Sequence, residues 1–89
     1  MAFKTQIRLI RRKEVIQLTG LSKSSLYNRI NDGLMPSSIS LGDRAVAFVE
    51  EEIQTILLAM IAGQTREQIK TLVQELIVNR KTSIGGNSL

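Results

Sequence analysis

Apolar residues recur along this chain at helical spacing in most of its length and at alternating spacing in the middle, with glycine or proline at the joints. The clearest pattern comes last. Thr65 opens a capping box with Gln68, and Ile69, Leu72, Val73, Leu76 and Ile77 follow at the i, i+3, i+4, i+7 and i+8 positions of one helix face. The spacing predicts a helix from Arg66 to about Lys81 and a loose, disordered tail over 82–89, which contains Gly85-Gly86. Upstream, Glu50, Glu51 and Glu52 begin a helix whose face is lined by Ile53, Ile56, Leu57 and Met60, and Gly63 ends it after Ala62. Leu58 and Ile61 lie off that stripe and predict a second surface, which the last helix can cover.

The first half carries shorter elements. Ile7 and Leu9 alternate with polar neighbours well enough for a short strand. A helix from Arg12 to Leu18 places Val15, Leu18 and Thr19 on one face with Ile16 beside them, and Gly20 supplies a left-handed stop. Ser22 is an N-cap for a second helix from Lys23 to Asp32, ended by Gly33. Two short helices around Thr19-Gly20-Leu21-Ser22 have helix-turn-helix spacing. Pro36 keeps Met35 out of a helix, so extended chain follows.

Segments Ser37 to Leu41 and Arg44 to Phe48 flank Gly42-Asp43, a dipeptide suited to a two-residue hairpin turn. Pairing Leu41 with Arg44 sets Ile39 opposite Val46 and Ser37 opposite Phe48. Ile39, Leu41, Val46 and Phe48 then form an apolar face, and Ser38, Ser40, Ala45 and Ala47 form the other. The expected fold is mainly α with a small antiparallel β-hairpin: a winged helix-turn-helix plus an additional C-terminal helix, in one domain over 1–81.

Composition narrows the chemistry. With 89 residues the chain has room for one core. Twelve Lys/Arg against eight Asp/Glu leave a net charge of +4, which favours a polyanionic partner. The excess is local: through Arg44 there are eight basic and three acidic residues, whereas from Ala45 onward four basic residues face five acidic ones. Cysteine and histidine are absent, which removes thiol and imidazole catalysis, Cys/His zinc sites and disulfides. No phosphate-binding glycine loop is present, and no spacing gathers carboxylates, lysines or hydroxyls. Neither enzymatic activity nor a cofactor, a metal or a small-molecule substrate is therefore expected. The longest near-apolar run, Ile56 to Ala62, is seven residues, too short to span a bilayer. No membrane partner is expected. No apolar secretory stretch opens the chain, so the expected location is the cytoplasm.

The candidate binding residues lie where the charge is. At about 100° per residue, Leu26 and Ile30 face inward on the second helix, with Ser24, Asn28 and Asn31 opposite and Ser25 and Tyr27 flanking them. A short polar face of this kind fits a major groove about 12 Å wide and can hydrogen-bond base edges. The alternative is an ordinary solvated face. Arg11, Arg12 and Lys13 oppose the macrodipole where the first helix begins, so helix stability does not explain them. Phosphate contact does; solvation or pairing with nearby acids is the competing account.

Arg44 at the hairpin tip suits a minor groove or a phosphate, unless its stem packs on Leu41, and Asp43 beside it limits insertion to shallow contact. Tyr27 can offer its hydroxyl to DNA or pack its ring under the hairpin. The Glu50 to Glu52 run reads as dipole complementation, since consecutive helical residues diverge by about 100° and form no carboxylate pair. The last helix balances Arg66, Lys70, Arg80 and Lys81 with Glu67 and Glu75, a face for core packing or a partner helix rather than a membrane.

Four blocks stand in order: Arg11-Arg12-Lys13-Glu14-Val15, Thr19-Gly20-Leu21-Ser22-Lys23-Ser24-Ser25-Leu26-Tyr27-Asn28-Arg29-Ile30, Gly33-Leu34-Met35-Pro36, and Leu41-Gly42-Asp43-Arg44-Ala45-Val46. Together they resemble the AlpA family of phage and prophage regulators, relatives of winged-helix excisionases and of the MerR-type DNA-binding domain. The resemblance implies a non-enzymatic transcriptional regulator that binds double-stranded DNA, of a kind linked to integrase expression or excision of an integrated element. It implies a recognition helix over Ser22 to Arg29, bringing Ser22, Lys23, Ser24, Ser25, Tyr27, Asn28 and Arg29 to the DNA, with Arg44 as the wing arginine. Phe48 stands where the family usually has Trp, Ala47 where a basic residue is common, and the fourth helix extends beyond the usual unit. A competing function is a protein-interaction module in which the C-terminal helices bind a regulator or form a homo-oligomer, motivated by Leu58, Ile61 and Val78.

Overall fold

A computed structural model describes residues 7–85, with side chains described through residue 81. In chain order the elements are β1 (Leu9–Ile10), α1 (Arg12–Thr19), α2 (Lys23–Asn31), β2 (Ile39–Gly42), β3 (Ala45–Val49), α3 (Glu50–Ile61) and α4 (Arg66–Gly85). The fold is mainly helical with one small antiparallel sheet, a winged helix-turn-helix carrying an added C-terminal helix.

The short N-terminal strand turns the hairpin into a three-stranded sheet of order β1-β3-β2. Leu9 lies opposite Val49 and Ile10 opposite Phe48. Because β3 is central, two consecutive residues on it, Ala47 and Phe48, are both buried. This differs from the expected hairpin in turn and register. The turn is Asp43-Arg44, both at positive φ (45° and 70°), the backbone of a type I′ turn, and not Gly42-Asp43. The pairing therefore slips by one: Ile39 faces Ala47, Ser40 faces Val46 and Gly42 faces Ala45, with an irregularity between Ser40 and Gly42. A one-residue slip reverses faces. Leu41 and Val46 are exposed instead of buried, and Ala47 is inside.

Ile10, Val15, Leu26, Phe48, Ile53 and Ile56 form the centre of the core, joined by Ile69 and Val73 of α4. Leu34, Met35 and Pro36, read from sequence only as connection, are also buried. Leu18 is exposed, contrary to expectation. The buried arc of α1 runs through Val15 and half-buried Ile16, which leaves Leu18 about 110° from its centre. On α3 the buried set is Glu52, Ile53, Ile56 and Ala59, while Met60 is partly exposed.

The expected cover for Leu58 and Ile61 is missing: they are 65% and 81% exposed. The apolar stripe of α4 joins the same core that α3 already faces, so the opposite side of α3 stays open. The Thr65–Gln68 capping box forms as expected, with N–H donors to the partner side-chain oxygens at 2.8 and 3.1 Å. α4 continues past Lys81 to Gly85, because Thr82, Ser83 and Ile84 contain no helix breaker. Residues 86–89 of the expected tail lie outside the described residues.

Candidate nucleic-acid interface

The helix-turn-helix is held by its own turn chemistry. Gly20 sits at φ 75° and donates its N–H to the Ile16 carbonyl at 2.8 Å. Thr19 donates its hydroxyl to the Val15 carbonyl at 2.8 Å and accepts the Leu21 N–H at 3.1 Å. Leu21 then packs on the core, which sets where α2 begins. Ser22 N-caps α2: its hydroxyl oxygen accepts the Ser25 N–H at 3.1 Å, and Ser22 and Ser25 share a hydroxyl bond at 3.0 Å. Leu26 is fully buried and Ile30 half-buried beneath the helix. Ser24, Tyr27, Asn28 and Lys23 are exposed, and Ser25 is half-buried. Tyr27 does not join the side chains packed on the core.

Arg29 is placed differently from its neighbours. It is half-buried, its Nη2 directed at Met60 Sδ of α3 at 3.9 Å, and its Nε is buried with no hydrogen-bond partner among the described residues. The cause is angular, since Arg29 lies only about 60° around the helix from Leu26.

At the wing, Arg44 is exposed on the second turn residue, in a left-handed conformation that L side chains avoid. The Ser40 hydroxyl oxygen accepts the Gly42 N–H at 3.1 Å on the strand leading into the turn. Because β1 is antiparallel to β3, the chain leaves Ile10 heading toward the tip end of β3 and enters α1 through Arg11, Arg12 and Lys13. All three are exposed. Arg11 is the N-cap residue, and its N–H is accepted by the Glu14 carboxylate at 3.3 Å.

The ion pairs divide the basic residues into two groups. Arg8 bridges Glu14 and Glu50 at 3.5 and 3.6 Å, Arg66 meets Asp32 at 3.6 Å, and Arg80 pairs with buried Glu52. Arg11, Arg12, Lys13, Lys23 and Arg44 form no salt bridge among the described residues, and neither do Arg29, Lys70 and Lys81. Of the three acids in the N-terminal half, Glu14 and Asp32 are thus engaged with Arg8 and Arg66, and Asp43 stays exposed beside Arg44 at the wing tip.

Sequence reasoning missed Glu52 and Arg80, having assigned all three glutamates to the helix dipole. Glu52 lies about 40° from Ile56 around α3, so its place within the buried stripe was legible, but its partner was not.

A family profile described as prophage CP4-57 regulatory protein (AlpA) matches residues 8–56, which span β1, both helices of the helix-turn-helix, the wing and the start of α3. The chain belongs to the AlpA family. It is similar to an uncharacterized protein, ORF88, of Enterobacteria phage P4, at 40% identity over 62 residues, 70% of each chain. No solved structure gives a significant match. The residues matched to this family of prophage regulatory proteins include every candidate binding residue from Arg11 to Arg44 and exclude α4. No helix among the described residues is long and apolar enough to cross a membrane.

Proposed function

We propose that the chain is a sequence-specific, double-stranded DNA-binding transcriptional regulator, acting in the cytoplasm on integrase expression or on excision of an integrated element. One observation carries the reading: α2 is pinned by Leu26 with Ser24 and Asn28 turned outward, while Arg11, Arg12, Lys13, Lys23 and Arg44 are exposed and form no salt bridge among the described residues. Ser24, Asn28 and Tyr27 read base edges in the major groove. Ser22 and Ser25 hold the helix start, and Lys23 with Arg11, Arg12 and Lys13 contacts phosphates. Arg44 rests on the adjoining backbone or minor groove, kept shallow by the Asp43 carboxylate. Arg29 reaches a phosphate only by leaving Met60. No cofactor or small-molecule substrate enters this account.

Footprinting on the DNA flanking the protein's own gene tests it: a protected, sequence-specific site is expected. On that site Asn28→Ala should lose about 1 to 3 kcal/mol, mainly at particular base pairs. Arg12→Ala should weaken specific and random DNA alike and reduce the salt slope by about 1. Equal losses on both DNAs for Asn28→Ala would remove it from base reading.

The exposed pair Leu58 and Ile61 favours one addition, self-association through α3, where a second copy would bury them and set half-site spacing. Sedimentation that shows a monomer both free and on DNA excludes it.

A further inference from the structure

Two described contacts fasten α4 to the elements assigned to DNA, and they stand at opposite ends of its buried face. At one end Arg66 meets Asp32, the residue that caps α2, at 3.6 Å. Beside it the Lys70 stem runs past the turn that follows α2, where a Cβ on Gly33 would lie 3.9 Å from Lys70 Cγ. At the other end Arg80 sets its guanidinium fork on Glu52, Nε to Oε2 at 2.8 Å and Nη2 to Oε1 at 2.5 Å. Its Nη2 also donates to the Ser37 carbonyl at 2.8 Å, where the chain enters β2. Along α4 these anchors are about four turns and about 21 Å apart, on nearly the same side of the helix. Ile69 and Val73 are buried between them.

We propose that α4 is a brace fixing the distance and angle between α2 and the β2–β3 wing, with Arg80 as the positioning residue at the wing end. The inference rests on the DNA-reading roles of α2 and the wing stated above. Its physical basis is that both elements must meet a stiff duplex in one register, whereas only the stretch 32–38 joins them along the chain. A bidentate arginine fork fixes orientation as well as distance. The exposed Arg66–Asp32 pair is weak alone, so the partly buried Arg80 cluster carries most of the constraint. The family match ends at residue 56, which makes the brace a feature of what this chain adds to the matched segment.

The test uses the full chain with the double substitution Glu52→Leu and Arg80→Met, which exchanges a partly buried ion pair for apolar side chains of similar volume. The sequence contains no cysteine, so spin labels at Asn31→Cys and Ser40→Cys, both exposed, report the distance from α2 to the wing without interference. A narrow distance distribution is expected without the double substitution and a broad one with it. Affinity for the footprinted site should fall about tenfold, the equivalent of one misaligned base contact, with a smaller loss on random DNA, where no base register has to be met. Should the double variant fail to melt cooperatively, Arg80→Lys, which keeps a charge on Glu52 but loses the fork, replaces it with the same expectations. A distribution as narrow as the parent's overturns the brace, as does a broad one with undiminished site affinity. If the parent itself binds no DNA, the functional reading falls, and the label distance alone still decides whether α4 braces.

Discussion

Arg44 holds φ 70° at the wing tip, a conformation that costs an L residue about 1 to 2 kcal/mol and that glycine adopts freely. A turn selected for stability alone would carry glycine there. Arg44→Gly is therefore expected to keep or raise the melting temperature while lowering DNA affinity; a variant that melts earlier and binds DNA normally would show that the side chain serves the fold. The opposite behaviour is expected of Arg80→Ala. It strands the Glu52 carboxylate, 6% exposed, without its counter-charge, and urea unfolding should register a loss of about 3 kcal/mol or more. Neither property was legible residue by residue. Arg80 reads as one more cation on a polar face until α3 is laid against α4.

At the scale of elements, helix ends were the most legible part of the sequence because capping is local. Ser22, Gly20 and Thr65–Gln68 each act within four residues of themselves, and each does what its residue type predicts. Gly20→Ala meets open space, with nothing within 4 Å of the added Cβ, so its cost is the left-handed backbone alone, about 1 kcal/mol by urea unfolding. Thr65→Ala removes the hydroxyl that accepts the Gln68 N–H and should cost about 1 kcal/mol in the same measurement. The hairpin was less legible. Gly42-Asp43 and Asp43-Arg44 are both feasible turns on local grounds, and the choice between them is made by packing of Ala47 and Phe48 and by pairing with β1.

For the whole molecule the decisive quantity is the separation of charge into paired and unpaired sets. Salt bridges engage Arg8, Arg66 and Arg80; Arg11, Arg12, Lys13, Lys23 and Arg44 are exposed and form none among the described residues, and outside that group Arg29, Lys70 and Lys81 form none either. If all five meet phosphates, the slope of log affinity against log salt should be about −4.5. A slope near zero would place these cations away from the duplex. Sequence asymmetry pointed to the basic half, yet it did not distinguish Arg8 from Arg12, since Glu50 reaches Arg8 only through the pairing of β1 with β3.

What the sequence determined by itself is everything governed by short range: the helix boundaries at their caps, the helix-turn-helix spacing, the outward placement of Ser24 and Asn28 opposite Leu26, and the absence of thiol and imidazole chemistry. Tertiary structure alone decided the hairpin register, the burial of Leu34 to Pro36, the lean of Arg29 onto Met60, the bare side of α3 and the Glu52–Arg80–Ser37 cluster. The physical reason is the range of the interactions. Capping and helical periodicity act over one or two turns and leave a pattern in adjacent letters, whereas strand register and buried charge pairs depend on which distant surfaces exclude water together.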